Sequence, residues 1–205
     1  MKILETAIRR RRLYLLRLDN ETEYLVDRQT FDESPYRVGC DLTEEQLNDL
    51  LTASQYHRAR ERALYLLGLR DYACKELEQK LYTEASPDIA AAVVERLCEV
   101  GLLDDERYAA RLARALSEEK HYPRRRIEQE LRHRGLSPVL VRTAVEQLDG
   151  EDYEQALAIL ERKYYNKLND PDSRRRVIAA LARRGFSYGA IRRAMDAFGL
   201  PDDEE

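Results

Sequence analysis

The feature that most constrains this chain is an internal repeat, because from about residue 57 onward the sequence matches itself at a shift of 50 residues. Residues 124–127 (Arg-Arg-Arg-Ile) align with 174–177 (Arg-Arg-Arg-Val), and residues 135–137 (Gly-Leu-Ser) align with 185–187 (Gly-Phe-Ser). An earlier and more divergent copy aligns at the same shift and then slips by one residue. The chain is therefore predicted to contain three copies of one structural unit.

Each copy has the hydrophobic periodicity of three short helices. Gly135 and Gly185 follow the second helix, where a left-handed residue is favoured, and Ser137 and Ser187 are suited to cap the third. A three-helix unit of this size has a small core, so we expect the units to pack in a row as an elongated, curved array. The predicted first helices span 57–68, 105–119 and 151–166, the second 72–82, 123–133 and 173–183, and the third 87–99, 138–148 and 188–198.

The first forty residues have a different pattern. Hydrophobic residues alternate over Leu13–Leu18 and over 22–26, which predicts a β-hairpin, and a third short strand is expected over 36–40. Thr43 and Gln46 have the spacing of a capping box, which predicts that a helix begins here.

The predicted fold class is therefore mainly α, with tandem three-helix repeats and a small N-terminal extension of a β-hairpin plus a helix. The predicted domains are the extension at 1–56, the repeats at 57–103, 104–149 and 150–199, and an acidic tail at 200–205.

Composition excludes several classes of protein. Charged residues make up 36% of the 205 residues, and no apolar run approaches the twenty residues that a transmembrane helix needs. The three cysteines, Cys40, Cys74 and Cys98, are too widely spaced for a disulfide framework or a zinc ribbon, so we expect three buried thiols in the reducing cytoplasm. We also expect a monomer with no membrane partner.

No arrangement of residues in the sequence predicts catalysis, a metal site or a cofactor. The three histidines, His57, His121 and His133, lack metal-binding spacing, and there is no glycine-rich phosphate loop and no nucleophile elbow. The acidic run over 104–106 is best explained as helix capping, because negative charge stabilises a helix N-terminus.

Arginine is the residue type that indicates binding. The net charge is −4, but the basic residues are in excess in the last two repeats. Residues 104–148 include 10 basic and 8 acidic residues, and residues 149–198 also include 10 basic and 8 acidic residues. The triplets at 124–126 and 174–176 are predicted to lie in the first turn of a helix. The helix macrodipole disfavours cations there, so a bound anion would be stabilising. The alternative is a solvated surface neutralised by Glu128, Glu130 or Asp172. The residues predicted to bind a partner or DNA are Arg124, Arg125, Arg126, Arg174, Arg175, Arg176, Arg183, Arg184, Arg192 and Arg193.

Several of these segments, in this order and spacing, resemble the bacterial RecX family, modulators of the RecA recombinase. The pieces are Leu77-x-x-x-Leu81, Val94-Glu95-Arg96-Leu97, Gly101-Leu102-Leu103-Asp104-Asp105-Glu106-Arg107-Tyr108-Ala109 and Arg126-Ile127-x-x-Glu130-Leu131-x-x-x-Gly135-Leu136. One departure is Pro123, where the family usually has a glycine. The resemblance implies three three-helix repeats, no reaction of its own, and binding to the RecA filament on single-stranded DNA, which would damp recombination and the SOS response.

Three other functions remain open from the sequence. A stand-alone DNA-binding helical repeat protein would bind bare duplex tightly and with a steep salt dependence, although the net charge of −4 argues against it. An α-helical scaffold for other proteins would not respond to DNA. An enzyme would need a site that cannot be assembled from three histidines and scattered carboxylates.

Overall fold

The computed structural model describes residues 1–9, 12–168 and 170–199, and the chain forms two compact units, Met1–Leu103 and Asp104–Glu205. The predicted acidic tail at 200–205 lies outside the described residues. The fold is mainly helical, with tandem three-helix repeats and a small N-terminal sheet, as the sequence predicts.

The N-terminal sheet of the first unit has three antiparallel strands in the order β1 (Ile3–Arg9), β2 (Leu13–Leu18) and β3 (Glu23–Asp27). The predicted β2–β3 hairpin is confirmed. The third strand predicted over 36–40 is wrong, because β1 pairs with β2 in its place. Residues 36–40 form a turn with Gly39 at φ 93°, and they contribute two backbone hydrogen bonds to Ile3.

Helix α1 (Arg28–Glu33) follows the sheet, and α2 (Glu44–Leu69) then begins at the predicted capping box. The Thr43 side chain accepts from the Gln46 amide, and the Gln46 side chain accepts from the Thr43 amide at 2.9 Å. The sequence predicted two helices here, one that begins at the capping box and one over 57–68. Helix α2 runs through both segments because no Gly or Pro lies between Glu44 and Leu67.

Helix α2 contributes to two cores. Leu47 and Leu50 pack under the sheet, whereas Ala59, Ala63 and Leu66 pack against α3 (Cys74–Leu81) and α4 (Pro87–Glu99). The second half of α2 together with α3 and α4 therefore makes the first three-helix repeat.

The second unit contains two repeats. The second repeat consists of α5 (Asp105–Glu118), α6 (Arg124–His133) and α7 (Pro138–Glu146). The third consists of α8 (Asp152–Ile159), which continues as a π turn (Leu160–Tyr164) and a 3-10 turn (Tyr165–Lys167), then α9 (Pro171–Arg183) and α10 (Tyr188–Ala197).

The helix ends in the second unit follow the predicted chemistry. Gly135 and Gly185 have φ of 85° and 99°, so both adopt the left-handed conformation after the second helix of their repeat. Ser137 and Ser187 accept hydrogen bonds from the amides of Leu140 and Ala190 and cap the third helix.

Candidate functional site

Arg124 begins α6 and is held by contacts within the second unit. Its guanidinium donates to the carbonyl oxygens of Val145 at 2.7 Å, Leu148 at 2.7 Å and Gly150 at 2.9 Å. Carbonyls at the end of a helix such as α7 have no partner within the helix and carry the negative end of its dipole. Arg124 therefore caps α7, and an anionic ligand would have to compete with three carbonyls for it.

The first turn of α6 already has an anion nearby. The residues at 124–126 occupy this turn, as predicted, and the turn has no side-chain cap of its own from Pro123. The Arg124 amide donates instead to the carboxylate of Asp152 at 2.9 Å. Asp152 is the first residue of α8 in the next repeat, so the charge that the α6 N-terminus favours comes from within the chain.

Of the three neutralising residues proposed from the sequence, Glu128 is paired with a different arginine. Glu128 pairs with Arg132 at 2.7 Å, one turn along the same helix. Arg125 is exposed, and the half-buried Arg126 lies over the ring of Tyr122 at 4.0 Å. Stacking uses the flat face of a guanidinium and leaves the N–H groups at its edge able to bind a carboxylate or phosphate.

The turn at Gly185 brings a second pair of arginines close to the start of α6. A Cβ at Gly185 would lie 3.6 Å from both the Cβ of Arg126 and the Cγ of Pro123. Arg183 and Arg184 immediately precede this turn, at the end of α9. We call Arg125, Arg126, Arg183 and Arg184 the arginine junction. Within the part of the chain that the structure describes, none of these four forms a salt bridge with a carboxylate.

The second triplet, at 174–176, is not in the first turn of its helix, so this prediction is wrong. Helix α9 begins at Pro171, which places the arginines in the second turn, after Asp172. The N-cap is Asp170, whose carboxylate accepts from the Ser173 amide at 2.8 Å. The hydrogen bonds from the amide and the side chain of Ser173, together with the positive charge of Arg176 and Arg174, hold the pKa of Asp170 below its usual value.

The second triplet also lies apart from the junction along α9. Arg183 lies eight positions after Arg175, which corresponds to about 12 Å along the helix axis. The two groups therefore occupy opposite ends of one helix, and a ligand must be longer than a single phosphate or carboxylate to contact both.

The last two predicted residues lie on α10. Arg193 pairs with Glu151 and lies over the ring of Tyr153 at 4.1 Å. The hydrogen bond and charge of Glu151 raise the pKa of Arg193. Arg193 therefore links α10 to the start of α8. Arg192 and Arg193 are both exposed.

Two internal carboxylates at these arginines, Asp152 and Glu151, were not singled out from the sequence. Both lie 25 or more residues from the arginine that they contact, so no local spacing connects them. The acidic run over 104–106 does behave as predicted, because the Asp104 carboxylate caps α5 by accepting from the Arg107 amide at 2.8 Å.

The buried carboxylate of the first unit, Asp27, has a structural role. Asp27 is 4% exposed, caps α1 by accepting from the Thr30 amide, and lies 3.1 Å from Nδ1 of His57.

Across residues 1–9, 12–168 and 170–199, no group of three or more His, Cys, Asp or Glu side chains is placed to hold a metal ion. No helix in those ranges has both the length and the apolar character needed to cross a bilayer.

Comparison with protein families identifies all three repeats. The models of the first, second and third three-helix domains of RecX match residues 59–97, 104–145 and 150–195.

Individual relatives agree with the family models. The chain is 36% identical over 140 residues to the regulatory protein RecX of Trichlorobacter lovleyi, a match that covers 65% of this chain and 91% of that protein. It is 24% identical over 207 residues to the regulatory protein RecX of Streptococcus sanguinis, which covers 100% of this chain and 80% of the relative.

Solved structures match the fold. A crystal structure of a regulatory protein RecX has a TM-score of 0.64 and 24% identity, covering 95% of this chain and 98% of the other. The crystal structure of RecX from Lactobacillus salivarius has a TM-score of 0.63 and 20% identity, covering 72% of this chain and 98% of the other. With three family models aligned to its three helical repeats in order, this chain belongs to the RecX family.

Proposed function

We propose that this chain is a non-enzymatic regulator that binds the RecA recombinase filament on single-stranded DNA. Binding inhibits the recombinase, ATPase and SOS co-protease activities of RecA. The protein acts in the cytoplasm as a monomer and needs no cofactor. The family assignment supports the regulatory role, because the relatives carry the name regulatory protein RecX.

The observation that carries the proposal is the arginine junction. It consists of arginines from α6 and from α9, two helices in different repeats that meet at Gly185. Arginine forms paired hydrogen bonds with phosphate and with carboxylate, so the same four residues suit DNA backbone or an acidic protein surface. A nucleoprotein filament offers both kinds of anion.

The contacts narrow the predicted set of binding residues. Arg124 and Arg193 are engaged with carbonyls and a carboxylate of the chain, so we assign them to the fold. The proposed surface consists of the junction, extended by Arg175 and Arg176 at the other end of α9 and by the exposed Arg192.

The test is ATP hydrolysis by RecA preassembled on single-stranded DNA, with this protein titrated in at fixed salt. We expect hydrolysis to fall at protein concentrations too low to coat the DNA. A parallel titration with DNA alone measures direct DNA binding. An unchanged rate of hydrolysis, together with tight and salt-dependent binding to bare DNA, would contradict the proposal and favour a stand-alone DNA-binding protein.

A matched pair of variants tests the role of the junction. Arg125→Glu combined with Arg183→Glu reverses two exposed charges of the junction. Arg162→Glu combined with Lys163→Glu reverses two exposed charges outside it, with the same change in net charge. We expect the first variant to inhibit hydrolysis at least tenfold less effectively and the second to stay close to the parent protein. Equal losses would show that only total charge matters.

A further inference from the structure

Two of the three cysteines lie in contact within the first unit. The Sγ atoms of Cys74 and Cys98 are 3.3 Å apart. Cys74 is the first residue of α3 and is half-buried, whereas Cys98 lies in the last turn of α4 and is exposed. The expectation of three buried thiols is therefore wrong, because Cys40 and Cys74 are half-buried and Cys98 is exposed. The separation of 24 positions between Cys74 and Cys98 gave no sign that the two thiols are in contact.

The two sulfur atoms are close enough to react with each other. A disulfide bond is about 2.05 Å long, so the sulfur atoms must move about 1.2 Å closer to form it. Helices α3 and α4 already pack on one hydrophobic core through Leu77, Val94 and Leu97, which keeps the thiols close. Cys40 packs instead against the core beneath the sheet, away from this pair.

We propose that Cys74 and Cys98 are a reversible redox pair that takes a peroxide as its oxidant. The exposed thiolate of Cys98 attacks one oxygen of hydrogen peroxide, which breaks the O–O bond and leaves a sulfenic acid and, after protonation, one water. The thiol of Cys74 then attacks the sulfenic sulfur, and its proton leaves with the hydroxyl group as a second water. The pair loses two electrons to the peroxide, and a dithiol reductant restores both thiols by exchange.

The disulfide changes the first repeat in a defined way. It closes residues 74–98 into a ring that contains α3, the following turn and α4. The bond joins the start of α3 to the end of α4, so these two helix ends can no longer separate. A cross-link of this kind removes conformations from the unfolded chain and resists local opening of the helix pair.

The experiment uses the full-length Cys40→Ser variant, which retains only the two thiols in contact. After treatment with a few equivalents of hydrogen peroxide, it is digested with trypsin without reduction and analysed by mass spectrometry. We expect a cross-linked product of residues 71–75 and 97–107, and a fall in free thiols from two to none that dithiothreitol reverses.

The matched control carries Cys74→Ser in addition to Cys40→Ser. With no partner thiol nearby, Cys98 should proceed to sulfinic acid or form dimers between chains. If the Cys40→Ser protein itself yields sulfinic acid or dimers and no cross-linked peptide, the proposal is wrong and Cys98 is an ordinary exposed thiol. The readout involves neither RecA nor DNA, so its outcome is independent of the proposed function.

Discussion

The two arginine triplets of the second unit have the same sequence and the same place in the repeat, but their environments differ. The triplet at 124–126 begins α6, and Arg124 binds the carbonyls at the end of α7. The triplet at 174–176 lies in the second turn of α9, behind an N-cap at Asp170 and an acidic first turn. Equivalent residues in a duplicated unit can therefore have different roles.

The cause of the difference lies in the residues before each helix. Pro123 directly precedes the first triplet and has no side-chain oxygen to cap the helix, so the α6 N-terminus takes Asp152 from the next repeat. Before the second triplet, Pro171, Asp172 and Ser173 add almost a full turn to α9, and Asp170 provides a local cap. A helix with its own cap has less need of charge from a neighbouring repeat.

The largest expected effect is that of Arg124→Ala on stability. The substitution leaves the carbonyls of Val145, Leu148 and Gly150 without their charged donor, which should cost about 2–4 kcal/mol of unfolding free energy. Chemical denaturation followed by circular dichroism measures this cost. The exposed Arg125→Ala is the control and should change stability by less than about 0.5 kcal/mol. Equal costs for the two variants would refute a capping role for Arg124.

Glycine substitutions test the turn geometry that the second and third repeats share. Gly135→Ala and Gly185→Ala each force alanine into the left-handed region, at φ 85° and 99°, which should cost about 1–2 kcal/mol. The contacts of an added Cβ at Gly185 are ordinary at 3.6 Å, so backbone strain alone should set its cost.

Gly189→Ala is the control for these two substitutions, because it should change the stability in the opposite direction. Gly189 lies in α10 and a Cβ there would meet no atom within 4 Å, so alanine should stabilise the chain by about 0.5–1 kcal/mol. Thermal denaturation distinguishes the two signs. Destabilisation by all three substitutions would show that the turn conformation is not the cause.

Charge reversal in each triplet compares their contributions to binding. Arg125→Glu should weaken binding to RecA filaments about tenfold, because it reverses one charge of the arginine junction and removes a donor to phosphate or carboxylate. Arg175→Glu should weaken binding only about threefold, since Asp170 and Asp172 already moderate the potential near it. Equilibrium binding over a salt series measures both values. A larger effect at Arg175 would move the binding surface to the other end of α9.

The smallest expected effect is at the cap of α9. Asp170→Ala should lower the midpoint of thermal unfolding by about 2–5 °C at pH 7, because the Ser173 amide loses its acceptor. Asp170→Ser retains a capping oxygen and should stay near the parent protein.

The pH dependence of this effect follows from the lowered pKa of Asp170. A carboxylate whose pKa is lower in the folded state stabilises the fold above its unfolded pKa of about 3.9, and that stabilisation is lost as the pH falls through the folded value. The difference between the parent and Asp170→Ala should therefore shrink between pH 7 and pH 3. The same difference at both values would mean that the charge has no part in the cap.

Sequence patterns predicted the helices of the repeats well, because their ends depend on residues within one or two turns. Ser137 and Ser187 cap as predicted, and the Thr43 capping box opens α2. The alternation of hydrophobic residues did not predict β1, because the pairing of this strand is irregular between Ile3 and Glu5. Sequence patterns also failed to join the two predicted halves of α2, since the change from one core to the other occurs within a continuous helix.

The sequence by itself determined the three-helix repeats, the helix caps and the excess of arginine in the last two repeats, since these depend on short-range periodicity and composition. Only the tertiary structure decided which arginines are available. Arg124 is bound by carbonyls 21 to 26 residues away, and Arg126 meets the turn at Gly185 from another repeat. Such contacts depend on how helices pack, and a guanidinium has the same chemistry whether it caps a helix or faces solvent.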